Sequence, residues 1–209
     1  MGTSEPLIRP PLQRRSQQSL ERVLNAGFEV LRERGFDGFT LHEVSDRAGV
    51  SIGSIYSRVP SREALIMAIY ERVMSWTDDR EAVVRDAEDL ERPVREWIEA
   101  IVTDIAAGVL GHADVMRVFM RQAPLHPEIL ERGAVKSKET GEIFTRALLQ
   151  RRKEFAHPDP ALAVDMAWRI VYNELARWIT HGPTFESSRK LNEKTMIREL
   201  ARAVADYLL

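Results

Sequence analysis

The chain has 209 residues, 44% of them hydrophobic and 30% charged, with no cysteine and a formal net charge of −2. That length admits one large domain or a small one joined to a medium one, and the missing thiols exclude disulfide scaffolds, thiolate zinc sites and cysteine nucleophiles. A balance so near neutrality lacks the basic excess usual in nucleic-acid binders, so any such role must rest on locally clustered arginines.

Taken in chain order, the sequence predicts an all-α protein, because apolar residues recur at helical spacing and no stretch alternates over strand length. Residues 1–15 hold Pro6, Pro10 and Pro11 together with Arg9, Arg14 and Arg15, and read as a flexible basic arm with no apolar run fit for a signal peptide. From Ser16, Leu20, Leu24, Phe28 and Leu31 form one face of a helix ending at Gly35. Phe36 to Phe39 reads as a turn flanked by buried aromatics. Thr40 then opens a second helix, with Glu43 placed to complete a capping box and Leu41, Val44 and Ala48 facing inward. Gly49 stops that helix, and Ser51 caps a short third one, Ile52 to Arg58, ended by Val59-Pro60.

A longer helix is expected from Ser61, carrying Leu65, Ile66, Ile69, Tyr70 and Val73. The charged stretch from Asp78 to Arg92 reads as a connection to a second domain. Further helices are expected near Pro93 to Leu110, Ala113 to Arg121, Pro127 to Phe155, Pro160 to His181 and Arg189 to Leu208. The longest apolar run, Trp97 to Leu110, is broken by Glu99 and Asp104 and is too short and too charged to span a bilayer, so a cytoplasmic protein without membrane association is expected. The reading divides the chain into an arm (1–15), a helix-turn-helix domain (16–60), a connecting helix (61–78) and a second helical domain (79–209).

Two short helices meeting at Ala48-Gly49-Val50 make a helix-turn-helix pattern: a small residue where the helices touch, a glycine for positive φ, then a buried aliphatic. Residues 35–65 run Gly-Phe-Asp-Gly-Phe-Thr-Leu-His-Glu-Val-Ser-Asp-Arg-Ala-Gly-Val-Ser-Ile-Gly-Ser-Ile-Tyr-Ser-Arg-Val-Pro-Ser-Arg-Glu-Ala-Leu. This closely resembles the N-terminal domain of the tetracycline-repressor (TetR) family of regulators, from near Ser16 to near Tyr70. Val59 departs from the usual aromatic and Arg62 from the usual lysine. The resemblance implies a DNA-binding regulator, most often a repressor. Thr40 and Tyr56 match positions that hydrogen-bond phosphates, as a hydroxyl can. Core packing is the other reading of Tyr56. Ser51, Ser54 and Ser57 are expected near phosphates or base edges, and Gly53 permits close approach to the duplex. Ile52, apolar at a position expected to be exposed, is assigned a thymine methyl or else an unrelated exposed surface. Arg58 and Arg62 form a basic edge, with Arg62 expected on a phosphate. Arg14 and Arg15 are expected along the backbone or in the minor groove, or else in a solvated tail.

The resemblance further implies that the C-terminal domain binds a small apolar or amphipathic effector and forms a homodimer. Trp97, Ile101, Met116, Phe119, Met120, Phe144, Trp168 and Tyr172 are the candidate pocket residues, although such residues equally make ordinary core. Ile170, Val171, Leu175, Trp178, Leu200, Val204 and Leu208 are the candidate dimer seam, a four-helix bundle with the twofold mate. No cofactor or metal is called for. The five histidines are scattered without metal-ligand spacing, and the Gly-x-Ser at residue 53 has no strand before it, which argues against an enzyme. The alternatives are an architectural or cell-division DNA binder of the same fold without an inducer, and a protein–protein adaptor.

Overall fold

A computed structural model of the chain describes residues 14–76 and 87–209, with side chains from Gln17 onward. The described residues are helical and contain no strand. They form two units: one comprises the described residues up to Ser75 together with Asp114–Leu125, the other those of Trp76–Ala113 together with His126–Leu209.

In the first unit, α1 (Arg14–Arg34) buries Val23, Leu24, Val30 and Leu31 and packs along α2 (Leu41–Ala48). Its helical face follows from apolar residues spaced three and four apart, and Gly35 ends it in the left-handed region at φ 67°. Gly27 sits where α1 meets α4 (Arg62–Trp76): a Cβ there would come within 2.7 Å of Ile69 Cδ1. Thr40 caps α2, its hydroxyl accepting from the Glu43 amide at 3.2 Å. The expected reciprocal half of the capping box is replaced, because the Glu43 carboxylate pairs with Arg47 at 2.7 Å and lies 3.5 Å from Arg34.

Gly49 takes φ 59°, as the turn requires, and α3 follows over Ile52–Tyr56, two residues shorter than expected, with Ser57 and Arg58 in a turn. Ile55 and Val59 are buried, so valine in place of an aromatic still fills its site. On α4, Leu65, Ile66, Ile69, Tyr70 and Val73 are all buried. A further helix, α5 (Val94–Leu110), belongs to the second unit, but α6 (Ala113–Gln122) returns to the first. There Phe119 meets Phe36 edge-on, centroids 5.8 Å apart, and Tyr70 at 4.6 Å.

The second unit combines α5 with α7 (Pro127–Leu148), α8 (Pro160–His181) and α9 (Glu193–Leu208). A 3-10 segment, Leu149–Glu154, continues α7, where the sequence predicts unbroken helix to Phe155. α9 lies along α5 and α8, and α7 lies along α8. Trp97, Ile98, Ile101, Phe144, Leu148, Val164 and Val171 are buried at the centre. Asp159 caps α8 by accepting from the Ala161 and Leu162 amides, and Gly182 at φ 84° ends it. Asn192 caps α9 through the Thr195 amide at 2.8 Å, and the helix begins four residues later than the expected start at Arg189. Among the described residues no helix is long and apolar enough to cross a membrane.

Candidate nucleic-acid interface

The helix-turn-helix is held by backbone and side-chain bonds around Gly49. The Ser45 hydroxyl donates to the Val50 carbonyl at 2.7 Å, and the Val50 amide donates to the Ser45 carbonyl at 3.2 Å. Ser45 thus locks the turn that aims α3, a role the sequence reading missed because a serine inside a helix carries no distinguishing spacing.

On α3 the inward side chain is Ile55. Facing outward are Gly53, Ser54 and Tyr56, with Ser51 and Ser57 exposed at either end. Tyr56 is 54% exposed, which sets aside the core reading of its ring. A Cβ built on Gly53 meets nothing within 4 Å, so no packing within the described chain requires glycine there. Ile52 is half-buried rather than fully exposed, leaving part of its side chain on the outer face. The serines bond first to one another. The Ser51 hydroxyl accepts from the Ser54 amide at 3.3 Å and lies 2.9 Å from the Ser54 hydroxyl, while the Ser57 hydroxyl donates to the Ser54 carbonyl at 2.9 Å. Thr40 is exposed at the α2 N-terminus, and as an acceptor from Glu43 it retains its own proton to donate.

Arg62 bonds within the described chain. Its Nε donates to the Phe39 carbonyl at 2.9 Å, its Nη2 to the Phe36 carbonyl, and its Nη1 to Glu63 at 3.1 Å. These bonds brace the Phe36–Phe39 turn that precedes α2. Arg58 is half-buried, and its amide donates to the Ile55 carbonyl. The side chains of Arg14 and Arg15, and the arm before them, lie outside the described residues. Arg47 carries charge near α3 but bridges Glu33 at 2.6 Å and Glu43 at 2.7 Å, its hydrogen bond holding the Glu33 carboxyl below its ordinary pKa.

The residues expected to line an effector pocket are divided between the two units. Met116, Phe119 and Met120 stand on α6 and belong to the first unit, Phe119 as part of its aromatic core. Trp97, Ile101 and Phe144 are packed in the core of the second; the buried Trp97 indole N–H has no acceptor among the described residues. Trp168 and Tyr172 line a groove of about 780 Å³ between α7 and α8, whose other walls include Lys138, Glu142, Arg146 and Asp165. The residues of the expected dimer seam differ in burial. Val171, Leu175, Leu200, Val204 and Leu208 are buried within the unit itself and Trp178 is half-buried, leaving Ile170 exposed. Leu162, Met166 and Ile170, one turn apart, are exposed on α8, as is Tyr172.

Residues 23–69 match the family model described as bacterial regulatory proteins of the tetR family, and residues 93–208 match that of the tetracyclin repressor-like C-terminal domain. The chain is 26% identical over 145 residues to the HTH-type transcriptional regulator UidR of Escherichia coli, spanning 68% of this chain and 69% of that protein. It is 35% identical over 60 residues to the uncharacterized HTH-type regulator YvdT of Bacillus subtilis, spanning 29% of this chain and 31% of that one. Among solved structures, the fold is shared with a TetR transcription regulator from Haloarcula marismortui (TM-score 0.67, 17% identity, 93% of this chain and 99% of that one). It is also shared with a regulatory protein of the tetR family from Rhodococcus RHA1 (TM-score 0.66, 16% identity, 91% and 96%). An exposed tyrosine and an open glycine on a short helix aimed by a left-handed Gly49 turn thus occur in a chain whose two halves match the two halves of one regulator family. The chain belongs to the tetR family of bacterial regulatory proteins and is a DNA-binding transcriptional regulator.

Proposed function

We propose that this regulator is a cytoplasmic homodimeric repressor that holds its operator through two copies of α3 and lets it go when a small amphipathic molecule binds the second unit. The observation that carries the DNA-binding surface is the outer face of α3, where Tyr56 is 54% exposed and, among the described residues, nothing stands within 4 Å of a Cβ built on Gly53. In this reading Thr40 and Tyr56 hold phosphates, Ser51, Ser54, Ser57 and Arg58 lie along the groove, and Arg14 and Arg15 follow the backbone beyond it. One short helix reads too few base pairs for useful selectivity, so two half-sites spaced by whole turns of about 34 Å are expected.

The exposed row Leu162, Met166 and Ile170 on α8 supports pairing with a second copy across this helix, in place of the buried residues of the expected seam. Met166→Glu with Ile170→Glu should give a folded monomer by sedimentation and lose operator affinity; an intact dimer would move the interface elsewhere. The groove beside Trp168 and Tyr172 has the size of small-molecule sites, and its mixed charges favour an amphipathic effector over a purely apolar one. The effector's route to α3 is supported by chain connectivity. α4 carries core residues of the first unit and runs to Trp76, and α6 brings residues from between two segments of the second unit into contact with Phe36 and Tyr70. Coupling of about 1 to 3 kcal/mol would change operator affinity roughly 5- to 150-fold.

The test is a salt titration of the purified full chain on its own upstream intergenic DNA. Tight, salt-sensitive and sequence-selective binding is expected; salt-sensitive binding without selectivity would instead favour an architectural role.

A further inference from the structure

Bidentate base recognition in the major groove needs arginine or lysine for guanine, asparagine or glutamine for adenine, or a carboxylate for cytosine. Residues 51–57, Ser-Ile-Gly-Ser-Ile-Tyr-Ser, contain none of these, and Arg58 is half-buried in the turn after α3, at the opposite end from Ile52. The hydrogen-bonding capacity that remains is also reduced. Ser57 donates its proton to the Ser54 carbonyl, and the Ser51 and Ser54 hydroxyls bond to each other at 2.9 Å, which leaves that pair a single proton. Beside those serines, what α3 offers at its leading end is apolar: the outer part of Ile52, next to a Gly53 over which, among the described residues, nothing stands within 4 Å. A bare glycine next to a half-exposed isoleucine allows the backbone to come close enough for that side chain to touch the groove floor. The apolar group on that floor is the thymine C5-methyl, absent from the minor groove.

We infer that, at the base pairs facing α3, this regulator selects its operator by contact between Ile52 and a thymine methyl in each half-site rather than by a hydrogen-bond code. The inference rests on the DNA-binding reading of α3. Burying one methyl is worth about a fourfold change in affinity per half-site, and about fifteenfold for two symmetric half-sites.

The experiment uses the full chain and duplexes it selects from a random-sequence library. In the best duplex each thymine is replaced singly by deoxyuridine, which removes only the methyl. One symmetric thymine position is expected to weaken binding about fourfold per half-site. Ile52→Ala should abolish that penalty, so that thymine and deoxyuridine duplexes bind the variant alike, whereas Ile52→Val should keep most of it. A deoxyuridine scan without effect at any position would overturn the inference, with no variant needed. So would a penalty that persists undiminished in a folded Ile52→Ala protein. A library from which no sequence is enriched would instead overturn the operator-binding reading itself, and the inference with it.

Discussion

At the scale of single residues, glycines at two positions of one motif are there for different reasons, and substitutions separate them. Gly49 takes φ 59° with only Arg22 Nη1 within 4 Å of its absent Cβ, so the constraint is conformational and not steric. Gly49→Ala should destabilise the protein by about 1 to 2 kcal/mol, read from its denaturation midpoint, because a side chain strains the left-handed region. Gly53 lies inside a helix with open space above it. Gly53→Ala should leave stability unchanged or raise it by up to about 1 kcal/mol, yet weaken operator binding; full affinity would mean that α3 does not approach the duplex closely. Arg62 holds the turn before α2 by bonds to the Phe36 and Phe39 carbonyls. Arg62→Ala should therefore cost about 1 to 3 kcal/mol of stability while leaving the salt slope of DNA binding unaltered, and a slope reduced by about one would restore it as a phosphate ligand. That its charge sits at a helix start was legible in the sequence. That two carbonyls from residues more than twenty positions earlier would capture it was not, since side-chain partners of that separation exist only after folding.

At the scale of helices, packing distances decide what each element tolerates. A Cβ on Gly141 of α7 would lie 2.5 Å from Trp168 Nε1 of α8, closer than a Cβ comes to a non-bonded atom. Gly141→Ala should push the indole aside or part the two helices at a cost of about 1 to 3 kcal/mol, visible as a lower melting temperature and a shifted Trp168 emission. An unchanged melting temperature and spectrum would mean that the indole has another place to go. The sequence predicts both helices by period, and Asp159 and Gly182 mark the ends of α8. It does not tell which residues of α8 face its neighbours and which face out. Val171 and Leu175 are as apolar as Leu162 and Met166, yet the first pair is buried and the second exposed. Only the angle at which α8 crosses α7, α5 and α9 sorts them.

At the scale of the whole molecule, charge enters stability through carboxylates held low by their partners. Hydrogen bonds lower Glu33 through Arg47, Glu63 through its own backbone amide and then Arg62, and Glu154 through Arg151, from an ordinary value of 4.5. A folded pKa below the unfolded one contributes stability that is complete above the unfolded value and lost as pH falls through the folded one. Unfolding titrations should therefore show stability level down to about pH 4.5 and declining below it, whereas a decline starting near neutrality would point to other groups.

The sequence by itself determined the helical class, the capped pair of helices around Gly49 and the family. Each rests on local chemistry: periodicity, capping residues and a turn that favours glycine. Tertiary structure decided that α6 belongs with the DNA-binding unit, where Phe119 reaches Phe36 and Tyr70. It also decided that Trp97, Ile101 and Phe144 are core while Trp168 and Tyr172 border a groove. The physical reason is common to these cases. Aromatic and aliphatic side chains at helical spacing carry the same hydrophobic signal whether they end in a core, a groove or an interface, and only the positions of neighbouring helices distinguish the three.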